Sequence, residues 1–323
     1  MLKLDQEKAF DKVDTAFLDR ILHKLNVGPY FRNWIKIIYN NITSQIQNNG
    51  YFSPKVHIQR GVRQGCPLSP ILYTLIVETL AQAIKLDQTI KGYPIGKRQI
   101  KISQYADDTA VILQDKSSYT EAMRVISRFE KATGSTINKH KTEGLYICAK
   151  ENPYDNMDVT WKNGTNEGLK ILGIHFFTDY NVTIDLNYRQ KIKTLKQVLQ
   201  RWGQRALSKK GKALVINALA LSKLYHIAHT LPPPQWAVQE VNKTIGDFLW
   251  NTEANSLIKL KHLCRPTWEG GLALKNFTTQ ATALRLHLLA HVFNKSTDDT
   301  WTTFAKYWIG THLKTIKPDM WKR

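Results

Sequence analysis

The sequence predicts an α+β fold whose second half is almost entirely helical, and two patterns support this prediction. Up to about residue 180, short segments of alternating apolar and polar residues are mixed with segments of helical periodicity. From Asp185 onward the periodicity is helical almost throughout, with an interruption by the prolines at 232–234. We therefore expect two domains, residues 1–180 with an antiparallel sheet and helices, and residues 181–323 with helices alone.

The first elements are a strand, two helices and a hairpin. The strand is predicted at residues 2–5, and the helices at residues 14–25 and 29–41. The two helices are separated by Gly28, which precedes a proline that suits the first turn of the second helix. Residues 42–59 then alternate between apolar and polar around Asn48-Asn49-Gly50, which indicates a hairpin.

A basic, glycine-bearing loop at residues 60–70 leads into an apolar helix predicted at residues 71–84. Gly61 and Gly65 allow backbone conformations and close approaches that larger residues cannot adopt. Two prolines suit the first helical turn, where no backbone donor is needed. Such a loop at a helix N-terminus can receive phosphates or a base pair. An ordinary capped helix start is the alternative while the loop is considered alone.

An acidic pair, Asp107-Asp108, lies between two segments that predict a hairpin, residues 99–105 and 109–113. Adjacent carboxylates at a hairpin tip repel each other unless a cation neutralises them. Asp5, which ends the first strand, could join them in a carboxylate cage for two divalent cations, the arrangement used for nucleotidyl and phosphoryl transfer. The alternatives are a solvated turn for the pair and a helix N-cap for Asp5.

The later elements are a helix at residues 118–131, strands between 137 and 177, and a basic amphipathic helix at 189–212. The basic residues of this last helix are Lys191, Lys193, Lys196, Arg201, Arg205, Lys209, Lys210 and Lys212. The candidate contacts to a nucleic-acid backbone are Lys193, Lys196, Arg201 and Arg205. A face that only improves solubility is the alternative.

Composition favours a nucleic-acid partner. The net charge is +20 over 323 residues, from 46 Lys and Arg against 26 acids, and such a field attracts polyanions.

Cys66, Cys148 and Cys264 are too far apart for a disulfide framework and have no zinc-site spacing. The sequence has neither a signal peptide nor an apolar run that could span a bilayer. We expect an intracellular protein, located in the nucleus, the cytoplasm or both. We expect neither a disulfide partner nor association with a membrane.

Five segments resemble, in order, motifs A to E of reverse transcriptases. Their residues are most similar to those of the non-LTR retrotransposon group, the long interspersed elements. They are residues 5–11 (DQEKAFD), 63–70 (RQGCPLSP), 105–108 (YADD), 134–143 (GSTINKHKTE) and 170–175 (KILGIH). Two further segments resemble those that follow the polymerase core in these elements, residues 248–251 (FLWN) and 270–277 (GGLALKNF). Five motifs in family order are far more specific than any one of them.

The resemblance implies a magnesium site and a sugar-selecting residue. Asp5 and Asp107 would be the principal metal ligands and Asp108 the second acid of the pair, with Mg²⁺ as the ion and Mn²⁺ as a possible substitute. Phe10 occupies the position of the family's steric gate. An aromatic ring there would stand against the sugar and exclude a 2′-hydroxyl.

Further substrate contacts follow from the same resemblance. Gln64 and Gly65 would lie along the nascent base pair, and Arg63 near the phosphates. Lys141 would protonate the departing pyrophosphate. The alternative for Lys141 is a solvated surface charge, which is the more common case for a lysine after a strand.

The resemblance implies a polymerase palm over residues 1–180 and a thumb over residues 181–323. The partners would be an RNA template, a DNA primer and deoxynucleoside triphosphates. Because Met1 lies only four residues before Asp5, the fingers strands that precede motif A in the family would be missing, and we expect a truncated copy of an RNA-directed DNA polymerase. The alternative is a catalytically inactive, nucleic-acid-binding remnant. The oligomeric state is left open.

Overall fold

The computed structural model describes residues 1–96, 98–147, 159–251, 258–294 and 300–313. The chain divides into two compact units, Met1–Leu172 and Gly173–Arg323. In the described residues the first unit combines strands and helices, whereas the second is helical apart from one short strand near its start. The predicted α+β class with a helical second half is therefore confirmed. No helix among the described residues has both the length and the apolar character needed to cross a membrane.

The first unit contains four helices and twelve short strands in its described part. The helices are α1 (Thr15–Lys24), α2 (Pro29–Tyr39), α3 (Ser69–Leu86) and α4 (Lys116–Thr133). The strands are β1 (Leu2–Leu4), β2 (Thr43–Ser44), β3 (Gln47–Asn48), β4 (Tyr51–Phe52), β5 (Val56–His57), β6 (Tyr93–Ile95), β7 (Arg98–Ile100), β8 (Ile102–Tyr105), β9 (Asp108–Val111), β10 (Glu143–Leu145), β11 (Thr160–Lys162) and β12 (Leu169–Ile171).

The first strand of the chain lies at the centre of a five-stranded sheet, whose order is β11-β10-β1-β9-β8. β1 pairs antiparallel with both β9 and β10, while β10 and β11 run parallel. The side chains of Leu2 and Leu4 are 0% and 1% exposed, and both belong to the core that includes α3 and α4. Because successive strand residues point to opposite faces, Lys3 and Asp5 lie on the other face of the sheet.

The N-cap alternative for Asp5 is wrong. Helix α1 begins at Thr15, and the carboxylate of Asp14 caps it by accepting a hydrogen bond of 2.7 Å from the backbone N–H of Phe17. The residues between β1 and α1 form turns, apart from one isolated bridge at Gln6. Asp5 therefore directly follows a strand and caps no helix, which leaves its carboxylate for another role.

Both predicted hairpins form, with one change in the second. Asn49 and Gly50 connect β3 to β4 with φ angles of 48° and 87°, the left-handed pair that a type I′ turn requires. The strand predicted at residues 99–105 is divided into β7 and β8 at Lys101. The ammonium group of Lys101 is buried, and it donates hydrogen bonds to the carbonyls of Lys85 and Asp87 at the end of α3. This use of Lys101 ties the hairpin to the helix.

The second unit contains one strand and seven α-helices in its described residues. They are β13 (Ile174–Phe176), α5 (Tyr180–Gly203), α6 (Lys209–Val215), α7 (Ser222–Thr230), α8 (Gln235–Trp250), α9 (Leu260–Leu263), α10 (Phe277–Phe293) and α11 (Thr300–Leu313). A π-helical turn, Ile216–Ala220, precedes α7, and the prolines at 232–234 separate α7 from α8. The fully buried ring of Tyr188 anchors α5, and its hydroxyl donates to the carbonyl of Leu231 at 2.9 Å.

Candidate active site

The sheet register brings the first acid to the acidic pair. Leu4 of β1 is the Cα partner of Thr109 of β9, so the next register positions along the two strands are Asp5 and Asp108. Opposite residues in an antiparallel pair have Cα atoms about 4.5–5.5 Å apart and side chains on the same face. Asp5 and Asp108 are separated by about a hundred residues in sequence, and the strand pairing brings them to the same end of the sheet.

The predicted hairpin has a tight two-residue turn that contains Asp107, while Asp108, which was also predicted at the tip, begins β9. Tyr105 and Asp108 are paired residues of β8 and β9, so Ala106 and Asp107 form the turn between them. Ala106 has a φ of 52°, in the left-handed region that normally favours glycine. A non-glycine residue there stores backbone strain of about 1–2 kcal/mol, and such strain is common at functional sites.

The three carboxylates have different surroundings. Oδ1 of Asp108 lies 3.6 Å from the Nζ of Lys3, two residues before Asp5 on the same face of β1. Within the described part of the chain, the Asp5 and Asp107 carboxylates make neither a hydrogen bond nor an ion pair with a side chain. Nor do any three His, Cys, Asp or Glu side chains of the described residues come together as a set that could hold a metal ion.

Position and chemistry nevertheless fit a hard divalent cation. The donors at this end of the sheet are carboxylate oxygens, which Mg²⁺ prefers, and Mg²⁺ completes its shell with water and substrate phosphates. Two of the three carboxylates are not committed to other partners in the described residues, and the third faces a lysine that a cation would displace. Asp5, Asp107 and Asp108 therefore remain the candidate ligands, although their side chains are not gathered into one set.

The segment after Asp5 is joined to the loop that contains Lys141. The backbone N–H of Asn138 donates to the carbonyl of Asp5 at 2.8 Å, and the N–H of Asp5 lies 3.3 Å from the hydroxyl oxygen of Thr142. The N–H of Glu7 donates to the carbonyl of Thr136 at 2.9 Å. These bonds fix the loop beside Asp5, and the exposed Lys141 lies on it.

The glycine-bearing loop packs against the same segment. Gly61 has a φ of 100°, and a Cβ atom built on it would lie 2.8 Å from the carbonyl oxygen of Asp11. Two backbone bonds of 2.8 Å fix this contact, from Gly61 to Val13 and from Val62 to the carbonyl of Phe10. The glycine is thus required both for its conformation and for its close approach to the Asp11 backbone, as the sequence predicted.

The three predicted loop residues, Arg63, Gln64 and Gly65, are all exposed. The amide nitrogen of Gln64 lies 3.5 Å from a carboxylate oxygen of Asp11, and Gly65 has a φ of 84° with open space where a Cβ would be. The pKa of the Cys66 thiol in the same loop is lowered by hydrogen bonds at the start of α3. The largest contribution comes from the backbone N–H of Leu68. The loop therefore presents donors and an open backbone next to the Asp11 segment.

Sequence reasoning missed Tyr73 and Gln6. Tyr73 lies on α3 and is 2% exposed, and its hydroxyl donates to the Oε1 of Gln6 at 2.6 Å. Its ring stacks on the ring of Phe10, with centroids 4.6 Å apart. Burial and, to a smaller extent, the negative charge of Asp107 raise the pKa of Tyr73. The only sequence signal was the position of Tyr73 on the apolar face of a helix that follows the loop.

The candidate nucleic-acid contacts of the second unit are exposed, but they do not lie on one helix. The four are Lys193, Lys196, Arg201 and Arg205. The single helix predicted at 189–212 is wrong, because α5 ends at Gly203 and α6 begins at Lys209 after the N-cap Ser208. Arg205 lies between the two helices, with its guanidinium 4.3 Å from the centroid of the Trp202 ring.

Three lysines of this region have specific partners on α8, and one of them, Lys209, donates to the carbonyl of Leu249. Lys196 forms an ion pair with Glu240 of α8, in which both side chains stay partly exposed. Lys212, which the sequence placed on the exposed basic face, is only 4% exposed. Its ammonium group donates to the carbonyl of Phe248 at 2.8 Å, at the C-terminal end of α8. Lys212 therefore satisfies carbonyls at the end of a helix. The prediction that it lies on a solvated face is wrong.

Most of the chain is similar to proteins of non-LTR elements. It is 28% identical over 309 residues to an uncharacterised 149 kDa protein of transposon TX1 from Xenopus laevis, covering 94% of this chain and 23% of that protein. It is 21% identical to a Pol polyprotein of the retrotransposable element R2DM from Drosophila melanogaster, covering 90% of this chain and 28% of that protein. The chain thus spans about a quarter of the length of these curated relatives.

A solved structure of telomerase from Candida albicans, in complex with a fragment of telomeric RNA, aligns with 98% of this chain and 49% of its own. The identity is 13% and the TM-score 0.37, too low to support the fold or the function. The family match is stronger. Residues 1–176 match the family described as reverse transcriptase (RNA-dependent DNA polymerase), and this span contains Asp5, Asp107 and Asp108. More than half of the 323 residues are matched, so this chain belongs to the reverse transcriptase family.

Proposed function

We propose that this chain performs RNA-directed DNA synthesis for a non-LTR retrotransposon, by adding deoxynucleotides to a primer 3′-hydroxyl. The observation that carries the proposal is the register of β1 and β9, which sets Asp5 beside the Asp107-Asp108 turn in a member of the reverse transcriptase family. The substrates are an RNA template, a DNA primer and deoxynucleoside triphosphates. The protein works inside the cell, in the nucleus, the cytoplasm or both.

In this reaction the primer 3′-oxygen forms a bond to the α-phosphorus of the triphosphate. The bond from that phosphorus to the bridging oxygen breaks, and pyrophosphate leaves with the electron pair. The 3′-hydroxyl loses its proton, and the leaving pyrophosphate gains one. Asp5, Asp107 and Asp108 would hold Mg²⁺ or Mn²⁺, which supplies charge neutralisation for both oxygens. The carboxylates orient the reacting groups, and orientation of this kind accounts for much of the rate in such enzymes.

The substrate roles are assigned by position. The half-buried ring of Phe10, five residues after Asp5 in the same segment, contacts the sugar and excludes a 2′-hydroxyl. Gln64 and Gly65 contact the nascent base pair, for which the open space at Gly65 leaves room. Arg63 approaches the phosphates, where a guanidinium makes strong hydrogen bonds. Lys141, fixed on the loop joined to Asp5, donates the proton to pyrophosphate.

Primer extension tests the proposal directly. The purified chain is given an oligo(dT)-primed RNA template, deoxynucleoside triphosphates and Mg²⁺, and compared with the Asp107→Asn variant. A control variant, Asp247→Asn, removes a carboxylate on α8 in the second unit. We expect extension by the wild type and the control, and a loss of more than about 100-fold in Asp107→Asn, because ligand changes exceed the 10–100-fold effect of outer-shell changes.

Two outcomes would contradict the proposal. Extension by Asp107→Asn at the wild-type rate would remove the assignment of the acidic pair. A wild-type chain that binds the primer–template duplex but never extends it would favour the second candidate, a catalytically inactive nucleic-acid-binding protein. The net charge of +20 supports binding in either case.

A further inference from the structure

One buried aromatic side chain touches the Asp5 segment at two points. Tyr73 of α3 is 2% exposed, and its ring stacks on Phe10 with a centroid distance of 4.6 Å and an interplanar angle of 20°. Its hydroxyl donates to Gln6, next to Asp5, at 2.6 Å. Stacked aromatic pairs with centroids in this range contribute beyond the area that they bury. The contact joins α3 to the proposed sugar-selecting residue.

The two contacts of Tyr73 are chemically separable. The ring contacts Phe10, while the hydroxyl contacts Gln6, and a phenylalanine at position 73 would keep the first and remove the second. The amide nitrogen of Gln6 is buried without a hydrogen-bond partner in the described residues. The hydrogen bond from Tyr73 thus satisfies the oxygen side of an amide whose nitrogen side is left unsatisfied, which makes the hydroxyl important for stability.

The Phe10 ring stacks on Tyr73, whereas its backbone is held by a separate contact. The Phe10 backbone is held independently, because its carbonyl accepts a hydrogen bond of 2.8 Å from Val62. That bond does not fix the side-chain dihedrals, and the ring is only half-buried. A ring that excludes a 2′-hydroxyl must remain in one rotamer, and in a half-buried site the stacking partner restricts the alternatives.

We propose that Tyr73 is a positioning residue that holds the Phe10 ring in place, so that discrimination between deoxyribonucleotides and ribonucleotides depends on the aromatic ring of Tyr73 and not on its hydroxyl. The inference rests on the proposed polymerase function. It assigns no direct contact between Tyr73 and the nucleotide. Its effect is transmitted through one side chain, Phe10, and this makes it testable by a double-mutant cycle.

The experiment measures single-nucleotide addition with dTTP and with UTP on an RNA template, for the wild type, Tyr73→Phe and Tyr73→Leu. We expect Tyr73→Phe to keep the wild-type ratio of kcat/KM for the two nucleotides. Tyr73→Leu should lower that ratio by about two- to tenfold, the factor that corresponds to loss of an aromatic pair. The change should come from faster ribonucleotide addition, which a general loss of folding would not produce.

A matched control and a cycle separate position from packing. Tyr119→Leu removes a buried tyrosine of α4 that stacks edge-on with Trp161, and its ratio should equal that of the wild type. In a Phe10→Val background, Tyr73→Leu should change the ratio no further. Thermal unfolding checks that each variant folds. Tyr73→Met, which also removes the ring but has a longer and more adaptable side chain, replaces the leucine variant if that one does not fold.

The outcomes distinguish this inference from the function on which it rests. A wild-type chain that adds neither nucleotide contradicts the proposed function, and the inference with it. Extension by the wild type with an unchanged ratio in Tyr73→Leu overturns the inference alone. An equal fall of the kcat/KM ratio in Tyr73→Phe would also overturn it, since the hydroxyl would then be responsible. An additive effect of the two substitutions would show that Tyr73 does not act through Phe10.

Discussion

The Nζ of Lys3 lies 3.6 Å from Oδ1 of Asp108, across the two strands that carry the candidate metal ligands. Both side chains are partly exposed, at 23% and 38%. Lys3 lies in β1 two residues before Asp5, which directly follows the strand, so the side chains of Lys3 and Asp5 are on the same face of the sheet. A divalent cation at this end of the sheet would compete with the lysine for the Asp108 carboxylate. The ion pair therefore opposes metal binding while it partly neutralises Asp108.

Replacing Lys3 by methionine should strengthen metal binding. The substitution keeps the apolar part of the side chain and removes the positive charge, so we expect the Kd for Mn²⁺, measured by titration calorimetry, to fall by about two- to fivefold, a shift within the 0–1 kcal/mol of an exposed pair. Lys12→Met is the control, because Lys12 pairs with Glu7 and not with a candidate ligand. Equal effects of the two substitutions would indicate a general charge effect.

Divalent ions should stabilise the chain through the acidic pair. Ligands that bind only the folded state raise its stability by mass action, so Mg²⁺ or Mn²⁺ at 100 times its Kd should add about 2.7 kcal/mol. We expect the melting temperature to rise with either ion in the wild type, and the increment to vanish in Asp107→Asn. A matched increase in ionic strength with a monovalent salt serves as the control for nonspecific effects. The same increment in the mutant would refute the ligand assignment.

The two glycines of the loop before α3 should differ in their tolerance of alanine. At Gly61 the φ is 100° and an added Cβ would lie 2.8 Å from the Asp11 carbonyl oxygen and 2.9 Å from its Cα, so backbone would have to move. At Gly65 the φ is 84° but the space is open. We expect Gly61→Ala to lower the free energy of unfolding by about 2 kcal/mol or more, and Gly65→Ala by about 1 kcal/mol. Urea unfolding curves of the two variants would contradict this if their midpoints coincided.

Local patterns were sufficient to predict the acidic hairpin. The alternation around Asp107-Asp108 and the apolar strand before Asp5 both depend on neighbours in sequence, and β8, β9 and β1 form where these patterns lie. The pairing of β1 with β9 could be inferred only through the family resemblance, because residues separated by about a hundred positions carry no local signal of contact. The cap of α1 shows the same limit. Asp14 and Asp5 are equally good caps by residue type, and the strand ending at Leu4 decides between them.

The residues missed by the sequence depend on tertiary contacts. Tyr73 is 67 positions from its hydrogen-bond partner Gln6. The helical periodicity alone does not distinguish it from the other apolar residues of the helix. Lys212 was misplaced for the related reason that a basic residue is usually solvated. It lies instead at the end of α8, where helix carbonyls need donors. The prediction of one basic helix failed because Gly203 ends α5 and Ser208 caps a new helix by accepting from the N–H of Gly211 at 3.2 Å.

Salt dependence should reveal which basic residues of α5 contact a phosphate backbone. Each phosphate contact adds about 0.9 to the slope of log K against log salt concentration for duplex binding. We expect Lys193→Ala to flatten the slope by about one unit, and Lys196→Ala to flatten it less, because Lys196 is paired with Glu240. Glu240→Gln, which frees Lys196, should steepen the slope. Fluorescence anisotropy with a primer–template duplex measures all three, and identical slopes in every variant would mean that this face is only solvated.

The raised pKa of Tyr73 should make the first unit sensitive to alkaline pH. Burial, with the Asp107 charge as a smaller cause, raises the pKa of Tyr73 in the folded chain, whereas in the unfolded chain the phenol titrates near its ordinary value of about 10. The folded state therefore binds the proton more tightly, so the stabilisation is complete below about pH 10 and is lost as the pH rises toward the folded pKa.

Tyr73→Phe removes this titration together with the hydrogen bond to Gln6. At pH 8 we expect the variant to melt at a lower temperature than the wild type, by an amount that reflects a buried hydrogen bond of about 1 kcal/mol. Between pH 9 and 11 the difference should narrow, because only the wild type loses stability through this phenol. Tyr119→Phe provides the control for the loss of a hydroxyl from another buried tyrosine of the first unit. A difference between Tyr73→Phe and the wild type that stays constant from pH 8 to 11 would show that the Tyr73 hydroxyl titrates alike in the folded and unfolded chains.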